Sequence, residues 1–321
     1  MVIRRHRSFY AVRVDRAEYL CTVSSKLWKS LVYPEAASGS RRQRVERVKD
    51  MAGTADPVVV GDLVRVELSN NEQGAIKEVL PRHTKFARRA SGKTDREQVL
   101  VANVDMVVPV FAAKMPAIDR RMLDRFLVTA QAQQLPVMIC LNKIDLVGGD
   151  APARKLLEPY ERLGLEIITT SATESEGIAS LQELLSERLS VLMGPSGVGK
   201  SSLLNVLDDG LGLKVREVTE RSGRGRHTTV HMEAFPLPSG GAVVDTPGLQ
   251  RLGLWGLLPD KLPYLMPEFE PYLGSCRFAD CAHGDEDGCG VRDAVDGGDI
   301  DRKRYESYKA MREEVSQTPR R

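Results

Sequence analysis

Cysteine is scarce in this chain, with five among 321 residues, and aromatic residues make up only 5%, two of them tryptophan. So few cysteines, with no export signal expected, point to a metal site rather than to disulfides. No apolar run approaches the roughly 18–20 residues of a membrane-spanning helix, and no internal repeat is visible. The N-terminal MVIRRHRSFYAVRV has arginines but no apolar block after them, so no secretory signal is expected. Net charge is almost absent, with 46 Lys+Arg against 44 Asp+Glu, formally +2. What is present is ordinary globular material, 42% hydrophobic and 28% charged. At roughly 150 residues per domain it predicts two or three domains.

The small total hides an asymmetry. Residues 1–95 carry 19 basic and 11 acidic side chains, net +8, whereas 96–255 is net −2 and 256–321 net −4. A basic N-terminal third points to a polyanionic partner such as RNA. A solvated arginine-rich loop over 41–49 accounts for the same charge equally well.

Short strand-like runs FYAVRV, YLCTV, PVVVGDLVRVEL and GAIKEVL fill residues 1–95 and predict a five-stranded OB-like barrel, with 41–49 as an insertion. From 96 the pattern changes. VDMVVPVFAA, PVMICL, LEIITT, SVLM and GGAVV are apolar strands, separated by the helical stretches RRMLDRFLVTAQAQ, ARKLLEPYERLG and SLQELLSERL. Such alternation predicts a mostly parallel sheet covered on both faces. Residues 256–321 are acidic and rich in Gly and Pro, and end in a helix over DRKRYESYKAMREEV. The expected fold is therefore multi-domain α/β: barrel 1–95, nucleotide-type domain 96–255, and a small third domain 256–321.

GPSGVGKSS (Gly194, Pro195, Ser196, Gly197, Val198, Gly199, Lys200, Ser201, Ser202) matches G-x-x-x-x-G-K-[ST] between a strand and a helix. Its glycines let backbone N–H groups curl around phosphates at a helix N-terminus. Lys200 would reach the β- and γ-phosphates, and Ser201 would ligate Mg²⁺. DTPG follows another strand, placing Asp245 as a Mg²⁺-linked carboxylate and the Gly248 N–H toward a γ-phosphate. NKID (Asn142, Lys143, Ile144, Asp145) ends a third strand. There Asp145 can accept two hydrogen bonds from guanine that adenine cannot offer. Asn142 would brace neighbouring loops, Lys143 would lie along the base, and Ser171–Ala172 would face guanine O6. Together these predict GTP. GRGRHTTV supplies a switch threonine for Mg²⁺ and the γ-phosphate, Thr229 in preference to Thr228.

The order is rotated. NKID and SA precede the phosphate loop, and DTPG comes last, as in a circular permutation that preserves the site. The position that often holds a water-orienting Gln is Leu249, with Gln250 one place on. His227, beside the threonines, is the candidate to orient the water; an ordinary surface histidine is the competing reading.

Cys276-x4-Cys281-x-His283-x5-Cys289 offers three thiolates and an imidazole, a tetrahedral Zn²⁺ set. With all four positions filled by protein, one structural zinc is expected. Cys21 and Cys140 read as small core residues.

With these motifs assembled, almost the whole chain resembles the RsgA (YjeQ) family of circularly permuted, small-subunit-dependent GTPases. The resemblance implies a cytoplasmic, monomeric GTP hydrolase that acts in late maturation of the 30S ribosomal subunit and is stimulated by it, with barrel and zinc domain on 16S rRNA. It also matches Leu249, the hydrophobic residue after DxPG, and His227 in the GxHTT switch. LQRLGL departs from the family's acidic-aromatic pair. The missing Gln keeps an alternative open, a GTP-gated rRNA-binding adaptor with negligible turnover.

Overall fold

The structure, a computed structural model, describes residues 1–6, 9–32, 58–69, 72–89, 97–208, 210–213, 232–246, 254 and 257–317. The arginine-rich 41–49 stretch lies outside the described residues.

β1 (Val2–His6), β2 (Phe9–Val14) and β3 (Ala17–Val23) form an antiparallel meander. A helix follows, α1 (Ser25–Val32), in a region whose sequence reads only as strands and turns. β4 (Val64–Leu68) and β5 (Gln73–Val79) complete the order β1-β2-β3-β5-β4, with β3 and β5 parallel. Val2 closes the ring by exchanging backbone hydrogen bonds with Gly61 and Asp62 (2.8 and 2.9 Å). The interior is small and apolar: Val2, Tyr10, Val12, Cys21, Val58 and Ile76. This is an OB-like barrel. Gly61 has φ +89°, and a Cβ there would stand 2.0 Å from the Ala102 carbonyl oxygen, so glycine is required where the barrel meets the next hairpin. That hairpin is β6 (Lys85–Arg89) with β7 (Glu97–Ala102). Asp62, fully buried, accepts a two-pronged bond from Arg82 (2.7 and 2.8 Å), which ties the ring to the segment leading into it.

The second unit begins at β8 (Met106–Ala112) and α2 (Arg120–Ala132), the helix capped by Asp119 accepting from the Met122 N–H. It continues through β9 (Met138–Asn142), α3 (Asp150–Lys155), α4 (Glu158–Glu161), β10 (Glu166–Thr169), α5 (Ile178–Leu185), β11 (Leu189–Met193), α6 (Lys200–Leu207), β12 (Glu233–Pro236) and β13 (Ala242–Asp245). The stretch ARKLLEPYERLG is two short helices, with Pro159 at the start of the second. β10, β9, β8, β11 and β13 lie side by side in parallel, and β12 pairs antiparallel on the outside. The strands bury both faces, one against a core with Phe111, Phe126 and Tyr160, the other against Leu181, Leu185 and Leu203. Cys140 lies in the second core, its thiol pushed up to about 12 by burial. β12 also pairs with β1 (Glu233 opposite Arg4), so the barrel and the parallel strands form one eleven-stranded sheet.

The third unit packs 3₁₀ turns Pro259–Leu265 and Pro267–Tyr272 with α7 (Gly290–Gly297) and α8 (Arg302–Ser316) around Phe269 and Tyr308. Val128 of α2 belongs to the same core. At this junction Arg304 on α8 donates to Asp124 of α2 (2.7 Å) and to Glu268, and its guanidinium lies over the Tyr160 ring (5.2 Å). Tyr160 also donates to Asp124 (2.9 Å). Arg125 holds Glu314 through both guanidinium nitrogens (2.8 and 2.5 Å). Among the described residues no helix is long and apolar enough to cross a membrane.

Candidate functional site

β9, β10, β11 and β13 all end at one edge of the parallel sheet, where open α/β sheets place their ligand crevices. NKID leaves β9 at Asn142, Ser171 follows β10, the glycine loop leaves β11, and Asp245 closes β13.

Two glycines shape the loop. Gly194 (φ +151°) passes so close to β8 that a Cβ would stand 2.1 Å from the Val110 carbonyl oxygen. Gly199 (φ +97°) faces Asn142, whose Nδ2 would be 2.3 Å from an added Cβ. The backbone then opens directly into α6 at Lys200. Val198 buries its side chain in the core under the loop, whereas Ser196 is exposed at its tip.

Asn142, buried, is the hub. Its Nδ2 donates to the Val198 carbonyl (2.9 Å), and its Oδ1 accepts from Thr170 Oγ1 and the Ala172 N–H (both 3.2 Å). One side chain thereby joins the phosphate loop to the Ser171–Ala172 loop. Lys143, in the left-handed region at φ +63°, donates to the carbonyls of Gly197 (2.6 Å) and Met115 (2.7 Å). Burial lowers its pKa, with Asp145 opposing. Ile144 turns its side chain into the core, and Asp145 stands exposed with Oδ1 accepting from Ser171 Oγ (2.6 Å).

Lys200 donates to the Gly194 and Pro195 carbonyls (2.8 and 2.9 Å) across the loop. Burial lowers its pKa, and Asp245 opposes the shift. Burial raises the pKa of Asp245, opposed by Lys200 and the Thr246 N–H. Asp245 Oδ1 is buried, and among the described residues no group donates to it. A buried carboxylate oxygen of that kind fits a hard cation such as Mg²⁺. Thr228, Thr229, His227 and Gly248 lie outside the described residues.

The second cluster is in the third unit. The ligand atoms of Cys276, Cys281, His283 and Cys289 all lie within 4.8 Å of one another. His283 Nδ1 is 3.4 Å from Cys276 Sγ and 3.6 Å from Cys289 Sγ. A tetrahedral zinc with bonds of about 2.1–2.3 Å spaces its ligands about 3.8 Å apart, so the set fits. Burial lowers the His283 pKa, which favours the neutral, ligating imidazole.

Several contributors have no motif to announce them. Asn205 on α6 brackets Leu213, donating to its carbonyl and accepting its N–H (both 2.8 Å). Met115 offers Lys143 only a backbone carbonyl, which any residue could supply. Glu286 binds the backbone on both sides of His283.

The RsgA GTPase family profile matches residues 79–255, more than half the chain. The chain belongs to the RsgA GTPase family. It is a GTP-hydrolysing enzyme with a circularly permuted core. A relative from Gemmatimonas aurantiaca, "Small ribosomal subunit biogenesis GTPase RsgA", is 43% identical over 286 residues, covering 88% of this chain and 93% of that protein. A namesake from Caldanaerobacter subterraneus subsp. tengcongensis is 34% identical over 320 residues, covering 100% and 96%. Among solved structures, YjeQ from Thermotoga maritima superposes with a TM-score of 0.70 at 32% identity, covering 99% of this chain and 98% of that one. The circularly permuted GTPase YloQ gives 0.65 at 26%, covering 100% and 95%.

Proposed function

We propose that this RsgA-family enzyme hydrolyses GTP in response to the small (30S) ribosomal subunit, as a cytoplasmic, monomeric factor in that particle's late maturation. The observation that carries the nucleotide part is the convergence of the four motif segments on one sheet edge, with Asn142 bonded to two of them. The ribosomal part is supported by the relatives' names and by the net +8 over residues 1–95.

The chain divides into an OB-like barrel (1–95), the GTPase domain (96–255) and a zinc domain (256–321), with barrel and zinc domain directed at 16S rRNA. Gly194, Pro195, Ser196, Gly197, Val198 and Gly199 offer backbone N–H groups to phosphate oxygens. Lys200 exchanges its two carbonyl partners for the β- and γ-phosphates, to which a buried ammonium is strongly attracted. Ser201, Thr229 and Asp245 would hold Mg²⁺, which would neutralise charge developing on the phosphates. Asp145 reads the guanine edge, while Lys143 lies along the base. Ser171–Ala172 faces O6, and the Gly248 N–H and Thr228–Thr229 register the γ-phosphate. Leu249 cannot polarise water, so His227 is assigned to orient it. A structural zinc on Cys276, Cys281, His283 and Cys289 holds together a unit with a small core.

The test is GTP turnover by the purified protein, alone and with 30S, 50S or 70S particles. Strong stimulation by 30S alone is expected. Slow turnover unchanged by any particle would remove the ribosomal assignment and leave the nucleotide site intact.

A further inference from the structure

His283 occupies an awkward place. Its φ of +53° lies in the left-handed region, rare for a residue with a Cβ, and the surrounding CAHGDEDGC segment contains neither a helix nor a ladder to satisfy its backbone. The His283 N–H donates to Cys281 Sγ (3.4 Å), and three further side chains satisfy the residues on either side of it. Glu286 accepts the Ala282 N–H on Oε1 (3.0 Å) and the Gly284 N–H on Oε2 (2.7 Å). The carbonyls of the same two residues accept from α8, Ala282 from Tyr308 and Gly284 from Tyr305 (both 2.7 Å). All four polar backbone groups flanking His283 are thus fixed by one carboxylate and two phenols. The Phe269 ring packs edge-on to both His283 (6.4 Å, 73°) and Tyr308 (4.8 Å, 66°), closing the side-chain face.

We propose that Glu286, Tyr305 and Tyr308 are positioning residues for the metal, setting its affinity by holding the His283 backbone so that Nδ1 faces the three sulfurs. The proposal rests on reading Cys276, Cys281, His283 and Cys289 as metal ligands. None of the three positioning side chains is itself a ligand. Each acts through the main chain on either side of the imidazole, so its loss leaves the donor set intact and loosens its geometry. Partners of ligands commonly change metal affinity by about 10–100-fold when removed. The link to α8 adds a second consequence. Arg304 and Glu314 of that helix bind α2, so the metal loop is registered to the GTPase domain through the same helix.

The experiment uses the full chain, loaded with zinc and titrated with a chromophoric chelator, and in parallel with Co²⁺ to read thiolate-to-cobalt absorption. Glu286→Gln and the double variant Tyr305→Phe/Tyr308→Phe are compared with the parent. Each is expected to bind zinc about tenfold or more weakly, with shifted or broadened cobalt bands but unchanged GTP affinity. Should Glu286→Gln fail to fold, the double variant decides, since it removes only two hydroxyls. Zinc affinity and cobalt spectra equal to the parent's in the variants that fold would overturn the positioning role. A parent protein that binds no zinc would instead overturn the ligand assignment beneath it.

Discussion

Asn142 and Gly199 fit each other closely: the Asn142 amide donates to Val198 at 2.9 Å, and a Cβ on Gly199 would stand 2.3 Å from the donating nitrogen. The contact links the NKID segment and the glycine loop, 57 positions apart in sequence. Gly199→Ala should therefore do two things. It strains a φ of +97° and displaces Asn142. About 1–3 kcal/mol of stability should be lost, and GTP should bind about tenfold or more weakly. Thermal melts and titration with a fluorescent guanine nucleotide would check both, and normal GTP affinity in this variant would contradict the hub role of Asn142.

Asp145 is exposed and held by Ser171 at 2.6 Å. Asp145→Asn should reduce the preference for GTP over ITP, which lacks the exocyclic amine, by roughly a hundredfold. Ser171→Ala, which frees the carboxylate to rotate and also removes the Oγ contacts with Thr173 and the Glu174 N–H, should cost about fivefold, near one hydrogen bond. Competition binding with the two nucleotides separates these outcomes.

Lys200 titrates below the ordinary lysine value of 10.5 because burial disfavours its ammonium, with Asp245 opposing. The unfolded chain then holds this proton more tightly than the native one. Stability without nucleotide should rise with pH as the native lysine deprotonates ahead of the unfolded one. Lys200→Met should flatten that part of the slope in urea melts as the pH rises toward the ordinary lysine value of 10.5. Parallel slopes for parent and variant would count against the buried charge.

Arg304 is 3% exposed, between Asp124 at 0% and Glu268 at 7%. Arg304→Met strands two buried carboxylates and should cost about 3–5 kcal/mol in denaturant melts. Adding Asp124→Asn should recover part of the loss, since burial already raises the Asp124 pKa and Arg304 is the largest of the groups opposing that, with Ser307 and Tyr160. Additive losses in the double variant would place the energy elsewhere.

The nucleotide motifs are legible because each is short, polar and set at the end of an apolar strand, so the strand pattern and the motif support one another. β1 and β12 are not, and the reasons are local. β1 carries Arg4 and Arg5 where alternation needs apolar residues, and β12 is four residues ending in Pro236. Both are stabilised by pairing across 229 positions, where Arg4 donates to Glu233 at 2.6 Å. α1 is hidden by its brevity. Glu286, Tyr305 and Tyr308 escape notice for a different reason: they bind main chain, and the main chain of a loop leaves no trace in composition. Asp124 and Arg304 likewise read as one more charge on each of two amphipathic helices until the helices are brought together.

The seam between β12 and β1 also fixes a distance. From β11, which launches the phosphate loop, to β1 there are three strand spacings, about 14 Å. Among the described residues that span is bridged by the β11–β13 and β13–β12 ladders and by the single pair Arg4 opposite Glu233 between β12 and β1. The barrel and the parallel strands are therefore joined through the sheet itself. A partner that touched both the barrel and the strand-end crevice would meet two faces of one continuous sheet.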